Sequence, residues 1–474
     1  MSDKANSGRD AKPEAPPRET DTAGRPVARL INATVRNYMD ALSLQRFYGG
    51  YVITKIDEQV FNLGIGEVGG IDLPEDLYSI YRRFEQSDAL APLATRYSGT
   101  LGERDTNRLM AAHLNQWLDE ERFDEMRVVS LDGGQNAIEV AVRAFTAPLG
   151  SAEQDKHYVL MATPSYPYFS AVISAHTGIM SFLAYDSEAF TRGVETYCNA
   201  SVGVILVNVP QNPMGYTLGA DQVARIGKVA ETYDCVIVVD GVYANYPDSP
   251  DTGKALAGFD PHRTVFCDSF SKKYGLPGLR LGFALSAAEE LTYAMRFIKM
   301  GESLTPSNGK LAFAGHLLEH YAQVPAQIGA QVRERRRQFL ARFDSGALKG
   351  LRIFGEENNP FYLALDIGAL CERTGMNDVA VAAHCLDQYQ VRVFPGAFVY
   401  PNMKLRHGTF SAEGRLNPHG SAPYLAPRFP PGEQIVFAGD HVEGRVPLLR
   451  LSFGTETRAG AAAEALTEAL KSLR

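Results

Sequence analysis

The middle of the chain alternates short apolar runs, rich in β-branched residues, with longer segments of helical periodicity. The runs are RVVSL at 127–131, YVLMAT at 158–163, VGVILVNV at 202–209, CVIVVD at 235–240, TVFCDS at 264–269 and LRLGFAL at 279–285. Between them, segments such as NAIEVAVRAFTAPL and ADQVARIGKVAETY repeat apolar residues every three or four positions, as helices with one buried face do. This alternation predicts an α/β fold with a largely parallel sheet covered by helices on both faces.

The two ends of the chain have different patterns. Residues 1–26 almost lack large apolar side chains, so burial cannot offset their ordering entropy and we expect a disordered tail. Residues 27–60 are amphipathic and predict an N-terminal arm. We assign residues 61–318 to a large domain and 319–474 to a smaller α+β domain, which contains a Pro- and Gly-rich insertion at about 401–440.

Composition and charge exclude several classes of function. A formal net charge of -8 argues against a surface that neutralises nucleic-acid phosphates. No apolar stretch reaches the roughly 18 residues that cross a bilayer, and the start has no signal-peptide core, so we expect a cytoplasmic protein without a membrane partner. The five cysteines are scattered without CxxC spacing, which predicts neither a disulfide framework nor a metal site.

The loops that follow the apolar runs carry the chemistry. In parallel sheets, ligands bind at the carboxyl ends of the strands. The loops there are GGQNA, PSYPYF, PQNPMG, DGVY and SFSKKYG, in chain order. Each loop taken alone has an ordinary explanation as a turn or a solvated connection. Taken together, they supply every group that a pyridoxal 5′-phosphate (PLP) site needs.

The phosphate of PLP needs backbone N–H donors and a fixed cation. Gly133, Gly134 and Gln135 offer N–H groups at the start of a predicted helix. Arg280 has a planar guanidinium that can hold a phosphate through two hydrogen bonds. These four residues are therefore the predicted phosphate site.

The ring and the aldehyde of PLP need other groups. Asp240, at the end of a very apolar strand, can hold the protonated ring nitrogen. Tyr243 and Asn212 can reach the phenolic oxygen O3′, and Tyr166 can stack on the ring. Lys272 can form a Schiff base with the aldehyde carbon, since desolvation and nearby positive charge lower the pKa of its amine.

The segment SFSKKYGLPGLRLG resembles the lysine motif of class I/II aminotransferases and their fold-type-I relatives. In that family the Schiff-base lysine precedes the phosphate arginine by eight positions, as Lys272 precedes Arg280, and this spacing favours Lys272 over Lys273. LGIGE at 63–67, YSGTLG at 97–102 and the late LLRLSFG follow the family order as well. The resemblance covers roughly residues 60 to 455.

This resemblance implies the fold of fold-type-I PLP-dependent transferases: a mostly parallel seven-stranded sheet flanked by helices, with a smaller α+β C-terminal domain. It also implies a homodimer with shared active sites. Ser269 matches a further phosphate ligand, and Tyr97 matches the tyrosine that reaches the phosphate from the neighbouring subunit. Arg450 matches the arginine that binds the substrate α-carboxylate, with Gly66 and Asn212 beside the substrate.

The implied reaction starts with an external aldimine between the amino-acid substrate and PLP. The freed Lys272 amine is then the base that removes the Cα proton, and Asp240 stabilises the resulting quinonoid. Transamination to a 2-oxo acid, with a second 2-oxo acid as acceptor, is the main hypothesis.

Two alternatives share the same fold. A specialised biosynthetic enzyme would use the quinonoid for β or γ elimination or replacement, for an S-adenosylmethionine-using lyase reaction, or for oxidation or deamination. A ligand-sensing transcription regulator is disfavoured, because the segment before LGIGE is too short and acidic for a DNA-binding domain and linker.

The insertion between QVRVFPGAFVY and VPLLRLSFG is longer than the connection usual in the family. It is either a surface excursion or a lid over the substrate. In the lid hypothesis, the recognising side chains are His407, Arg415, His419 or Arg428.

Overall fold

The computed structural model describes residues 59–87, 92–93, 95–148, 156–174, 176–244, 250–304, 307–355, 361–396, 399–400, 408–410, 416–418 and 445–473. The predicted tail, the predicted arm as far as residue 58 and the four side chains of the lid hypothesis lie outside these residues. Within them, no helix is long and apolar enough to cross a membrane.

The strands of the described residues, in chain order, are β1 (Phe61–Asn62), β2 (Val128–Leu131), β3 (Tyr158–Thr163), β4 (Gly178–Leu183), β5 (Val202–Asn208), β6 (Val236–Asp240), β7 (Thr264–Ser269), β8 (Gly282–Leu285), β9 (Arg352–Phe354), β10 (Tyr362–Asp366), β11 (Val391–Arg392), β12 (Phe394–Pro395), β13 (Gly408–Phe410), β14 (Leu416–Pro418) and β15 (Leu448–Ser452).

The α-helices of the same described residues are α1 (Leu77–Glu85), α2 (Arg104–Leu118), α3 (Gly134–Phe145), α4 (Tyr168–Ser174), α5 (Ser187–Tyr197), α6 (Ala220–Tyr233), α7 (Pro250–Leu256), α8 (Phe270–Lys273), α9 (Glu289–Ser303), α10 (Asn308–His320), α11 (Val324–Arg342), α12 (Gly368–Thr374), α13 (Asp378–Tyr389) and α14 (Ala459–Ser472). Short 3-10 turns lie at Glu125–Arg127, Pro277–Leu279 and Ser345–Ala347.

A seven-stranded sheet forms the centre of the molecule, in the order β2-β8-β7-β6-β5-β3-β4. The pairs from β7 to β4 are parallel, whereas β8 is antiparallel to both β2 and β7. The predicted mostly parallel sheet is therefore confirmed. The apolar runs correspond to six of its strands. The seventh, β4, was missed because it is an edge strand whose residues alternate between buried and half-buried, so it has no continuous apolar run.

Successive residues of the central strands pack into separate apolar cores on the two faces of this sheet. On β6, Ile237 and Val239 join one core and Val238 joins the other. Ile138 of α3 and Met295 of α9 cover the core that contains Val238. Because helices bury both faces, the open edge at the carboxyl ends of the parallel strands is where a ligand can reach polar side chains.

The C-terminal part of the chain contains a second, antiparallel sheet in the order β12-β15-β10-β9. Helices α11 and α13 each pack against α14 beside it. β13 and β14 pair with each other inside the predicted insertion. The division of the chain into domains at residue 318 stays a prediction.

The segment 61–70 is bound to this C-terminal part along its length. β1 pairs in parallel with β11. The carbonyl of Leu63 accepts a hydrogen bond from the Ser452 N–H at 2.6 Å, and the Gly69 N–H donates to the carbonyl of Gly454 at 3.0 Å. The segment therefore follows the C-terminal strands across a separation of nearly 390 positions in sequence.

Candidate active site

The turn between β2 and α3 brings backbone N–H groups beside an arginine and a serine. Gly133 is the N-cap of α3 and has a φ of 94°, which L side chains rarely adopt. A Cβ at Gly133 would lie 2.5 Å from Nη2 of Arg280, and one at Gly134 would lie 3.4 Å from Cβ of Ser269. Gln135 follows in the first turn of α3 and is half-buried. Helix N–H groups, a guanidinium and a hydroxyl are together suited to phosphate.

Hydrogen bonds with the backbone hold the side chains of Arg280 and Ser269 in place. Arg280 has a φ of 52°, and its guanidinium donates to the carbonyl of Asp132 at 3.2 Å. The Ser269 hydroxyl accepts from the Ser271 N–H at 3.1 Å and so caps the short helix α8. The same helix carries Lys272, which therefore lies one turn after Ser269.

Lys272 and its neighbour Lys273 have different environments. The Lys272 amine donates to the carbonyl of Gly66, and burial lowers the pKa of this amine to about 8, against an opposing effect of Glu67. Lys273 instead forms an ion pair with Asp268, and both of these side chains are buried. About a fifth of the Lys272 amine is therefore neutral near pH 7.4, a far larger share than in an ordinary lysine.

Asp240 ends β6 with 5% of its surface exposed. Burial raises the pKa of its carboxyl group to about 7. One carboxylate oxygen accepts from the Val242 N–H at 3.2 Å, and the other accepts from the side-chain amide of Asn208 at 2.8 Å. A cationic ring nitrogen beside this carboxyl group would be matched by its ionised form.

Asn208 was not among the predicted site residues. It lies directly opposite Asp240 in the β5–β6 register, and its side-chain oxygen accepts from the Asn212 N–H at 2.8 Å. One amide thus orients both the carboxyl group and the following loop. The signal in the sequence is a single asparagine that ends an otherwise apolar strand.

The side chain of Asn212 is fully buried, yet its amide makes no hydrogen bond with any other described residue. Buried amides are almost always hydrogen-bonded, because a lost partner costs free energy. Asn212 therefore has donor and acceptor capacity left for a ligand, and the phenolic oxygen of PLP fits the donor.

Tyr243 and Tyr362 meet at the centre of the site. Their hydroxyl oxygens are 2.6 Å apart and their rings cross at 80°. A Cβ at Gly66 would overlap the hydroxyl of Tyr362, so a glycine is needed at this position. Tyr362, on β10, was not predicted from the sequence.

Arg450 lies on β15 with 5% of its surface exposed. Its guanidinium donates to the carbonyl of Gly64 at 3.0 Å. It also lies 4.1 Å from the ring centre of Phe394 and 4.8 Å from that of Tyr362. Its Nε has no partner among the described residues, which leaves a donor for an anionic ligand.

Two of the predicted tyrosines differ in their exposure. Tyr166 is half-buried and packs edge-on against Phe169 at 5.2 Å between ring centres. Burial raises the pKa of Tyr166, and Tyr168, Tyr362 and Asp240 add to the effect. Tyr97, in contrast, is 80% exposed on the surface of the chain.

The family model described as "Aminotransferase class I and II" matches residues 58–422, which is more than half of the chain. The chain belongs to this family. Membership confirms the expected enzyme class, a transferase of a PLP-dependent family, and agrees with the motif order in the sequence.

Individual relatives are distant. This aminotransferase is 27% identical to a histidinol-phosphate aminotransferase of Erythrobacter litoralis over 62% of its own length and 76% of that protein. It is 24% identical to an aspartate aminotransferase of Pyrococcus abyssi over 51% of its own length and 60% of that protein. The solved aspartate aminotransferase of Thermotoga maritima superposes with a TM-score of 0.66 at 18% identity, covering 93% of this chain and 99% of that one. The superposition confirms the expected fold.

Proposed function

We propose that this aminotransferase binds PLP at the carboxyl edge of the seven-stranded sheet and transfers the amino group of an α-amino acid to a 2-oxo acid. One observation carries the proposal. Lys272 donates to the carbonyl of Gly66 and Arg450 donates to the carbonyl of Gly64, two residues away. An amine and a carboxylate-binding cation thus lie within the reach of one amino acid.

The residues around this point fit the cofactor group by group. Asp240 would hold the ring nitrogen, Asn212 and Tyr243 would face O3′, Tyr166 would stack on the ring, and Lys272 would hold the aldehyde carbon. The phosphate would be held by Gly133, Gly134, Gln135, Ser269 and Arg280. When bound, PLP supplies an electron sink for the negative charge that develops at the substrate Cα.

Lys272 is the proposed catalytic base. With a pKa of about 8, a substantial share of its amine is neutral near pH 7.5, so it can take the Cα proton and return it. Arg450 would hold the substrate carboxylate and so fix the direction of the Cα–H bond. Gly66 leaves room for the Tyr362 hydroxyl, and Gly64 leaves room for the side chain of Arg392, beside these two groups.

We also propose that the enzyme is a homodimer in which Tyr97 reaches the phosphate of the neighbouring subunit. The high exposure of Tyr97 in the single chain supports a role for this tyrosine outside its own site. Sedimentation of the purified protein would test the assembly, with a monomer as the contradicting result. Tyr97→Phe should weaken PLP binding without changing the oligomeric state.

The reaction is tested with the purified protein, PLP and a panel of amino acids, with and without 2-oxo acids, S-adenosylmethionine and oxygen. The panel includes the amino donors named for relatives: aspartate, aromatic amino acids, histidinol phosphate and N-succinyldiaminopimelate. Mass spectrometry should show amino transfer to pyruvate or 2-oxoglutarate. Product formed without any acceptor, or only with oxygen, would instead assign the chain to the alternative biosynthetic reactions.

A further inference from the structure

Tyr362 is a fully buried phenol in the proposed site that none of the sequence motifs contains. Only 1% of its surface is exposed. Its hydroxyl lies 2.6 Å from that of Tyr243, and its ring faces the guanidinium of Arg450 at 4.8 Å. It also occupies the space in which a side chain at Gly66 would lie. The side chain of Tyr362 therefore adjoins Tyr243, which is proposed to bind the cofactor, and Arg450, which is proposed to bind the substrate carboxylate. It also adjoins Gly66, whose carbonyl accepts from Lys272.

The C-terminal sheet explains this position. Ala364 of β10 is directly opposite Arg450 of β15, and Tyr362 lies two residues away on the same face of β10. On the other side of β15, Phe394 of β12 is directly opposite Arg450. The guanidinium is thereby held between two aromatic rings, and the register of three strands determines which rings they are.

The hydroxyl of Tyr362 has a defined role if Tyr243 donates to the cofactor. A phenol that donates its own proton can still accept a hydrogen bond at its oxygen. Tyr362 can supply that hydrogen bond, and a chain of donors in a dry site polarises each member. When the Tyr362 hydroxyl donates to the oxygen of Tyr243, Tyr243 becomes a stronger donor to the cofactor.

We propose that Tyr362 is a positioning residue that donates to Tyr243, strengthens the hydrogen bond from Tyr243 to O3′ and holds Arg450 with its ring. The inference rests on the proposed function, because O3′ belongs to bound PLP. A stronger donor at O3′ stabilises negative charge on that oxygen. It therefore lowers the proton affinity of the nitrogen that joins Lys272 to the cofactor.

Two variants separate the hydroxyl from the ring. Tyr362→Phe keeps the ring against Arg450 and removes only the hydrogen bond to Tyr243. We expect the pH midpoint of the bound-cofactor absorbance to rise by roughly half to one pH unit, a three- to tenfold change in proton affinity. The KM of the best amino donor in the panel should stay within about twofold, because the ring remains. Tyr362→Leu should raise the midpoint similarly and raise that KM about fivefold or more.

A double variant excludes a merely structural effect. In a Tyr243→Phe background, Tyr362→Phe should produce no further shift of the midpoint, because the hydroxyl through which it acts is absent. The dissociation constant of PLP and thermal unfolding are measured on all variants. An equal shift in both backgrounds, or no shift in folded, PLP-loaded Tyr362→Phe, would overturn the inference. A wild-type protein without a Lys272-dependent absorbance band would instead contradict the proposed function itself.

Discussion

Lys273 and Asp268 form an ion pair from which water is nearly excluded, with 3% and 5% of their side-chain surfaces exposed. In this pair, Asp268 binds the amine of Lys273, the residue that follows the proposed cofactor lysine in sequence. The two adjacent lysines therefore have different roles: Lys273 is structural, and Lys272 is the proposed cofactor lysine. The carboxylate of Asp268 would be left without its buried cation if Lys273 were replaced.

The first prediction uses this contrast. Lys272→Met should abolish the visible absorbance of PLP-loaded protein, whereas Lys273→Met should keep it. Lys273→Met should also reduce the free energy of unfolding by about 3–5 kcal/mol, because it breaks a buried ion pair. Absorbance spectra of both variants test for the cofactor band, and denaturant unfolding measures the change in the free energy of unfolding. A folded Lys273→Met protein without the band, together with a Lys272→Met protein that keeps it, would show that the lysines have the opposite roles.

The second prediction concerns the pH dependence of cofactor capture. Only the neutral amine attacks an aldehyde, and the pKa of Lys272 is about 8. The rate at which PLP binds covalently to the apo-protein should therefore rise about tenfold per pH unit below pH 8 and level off above it. Stopped-flow absorbance measures this rate. A rate that continues to rise beyond pH 10 would indicate an amine with the pKa of ordinary lysine.

The third prediction concerns Gly66. In Gly66→Ala, the new methyl group meets the hydroxyl of Tyr362, so either the segment or the tyrosine must shift. We expect kcat/KM for the amino donor to fall by about tenfold or more, since both Lys272 and Arg450 contact this segment. Gly278→Ala is the matched control, because a Cβ there meets no atom within 4 Å. Equal activities of the two variants would refute this crowding argument.

The fourth prediction follows from the carboxyl group of Asp240. Because its pKa in the folded apo-protein is about 7, against an ordinary value of 3.8, the folded state retains a proton that the unfolded chain releases. The stability of the apo-protein should therefore fall as the pH rises from about 4 to about 7. Asp240→Asn should remove this dependence and bind PLP at least about tenfold more weakly. Denaturant unfolding at several pH values and PLP titration measure the two effects, and an unchanged pH slope in the variant would assign the dependence to other groups.

The sequence was informative where chemistry is local. Lys272 and Arg280 are eight positions apart in one segment, and Asp240 and Tyr243 are three apart, so the resemblance to the family motifs could group them. The mostly parallel sheet followed from apolar runs that helices bury on both faces. Strand β4 lacked such a run, since its residues alternate between buried and half-buried.

What the sequence could not provide was the set of contacts made through strand register. Tyr362 enters the site because β10 pairs with β15 in one particular register, and a shift of one residue would turn it to the opposite face. Asn208 lies within an apolar run, where an asparagine is easily taken as the end of a strand. The long insertion lies almost wholly outside the described residues, so the lid hypothesis stays a prediction.

The attachment of residues 61–70 to the C-terminal strands has a consequence for biosynthesis. Ribosomes add about 5–20 residues per second, so Leu63 waits roughly 20 to 80 s before its partner Ser452 has been made. During that interval the central sheet can form while the segment 61–70 is held only through β11 and lacks its bonds to Ser452 and Gly454. A nascent chain arrested before β15 should therefore gain its large sheet but lack Arg450 and the bond from Ser452 to Leu63, so the proposed catalytic centre is completed only when this strand has been made.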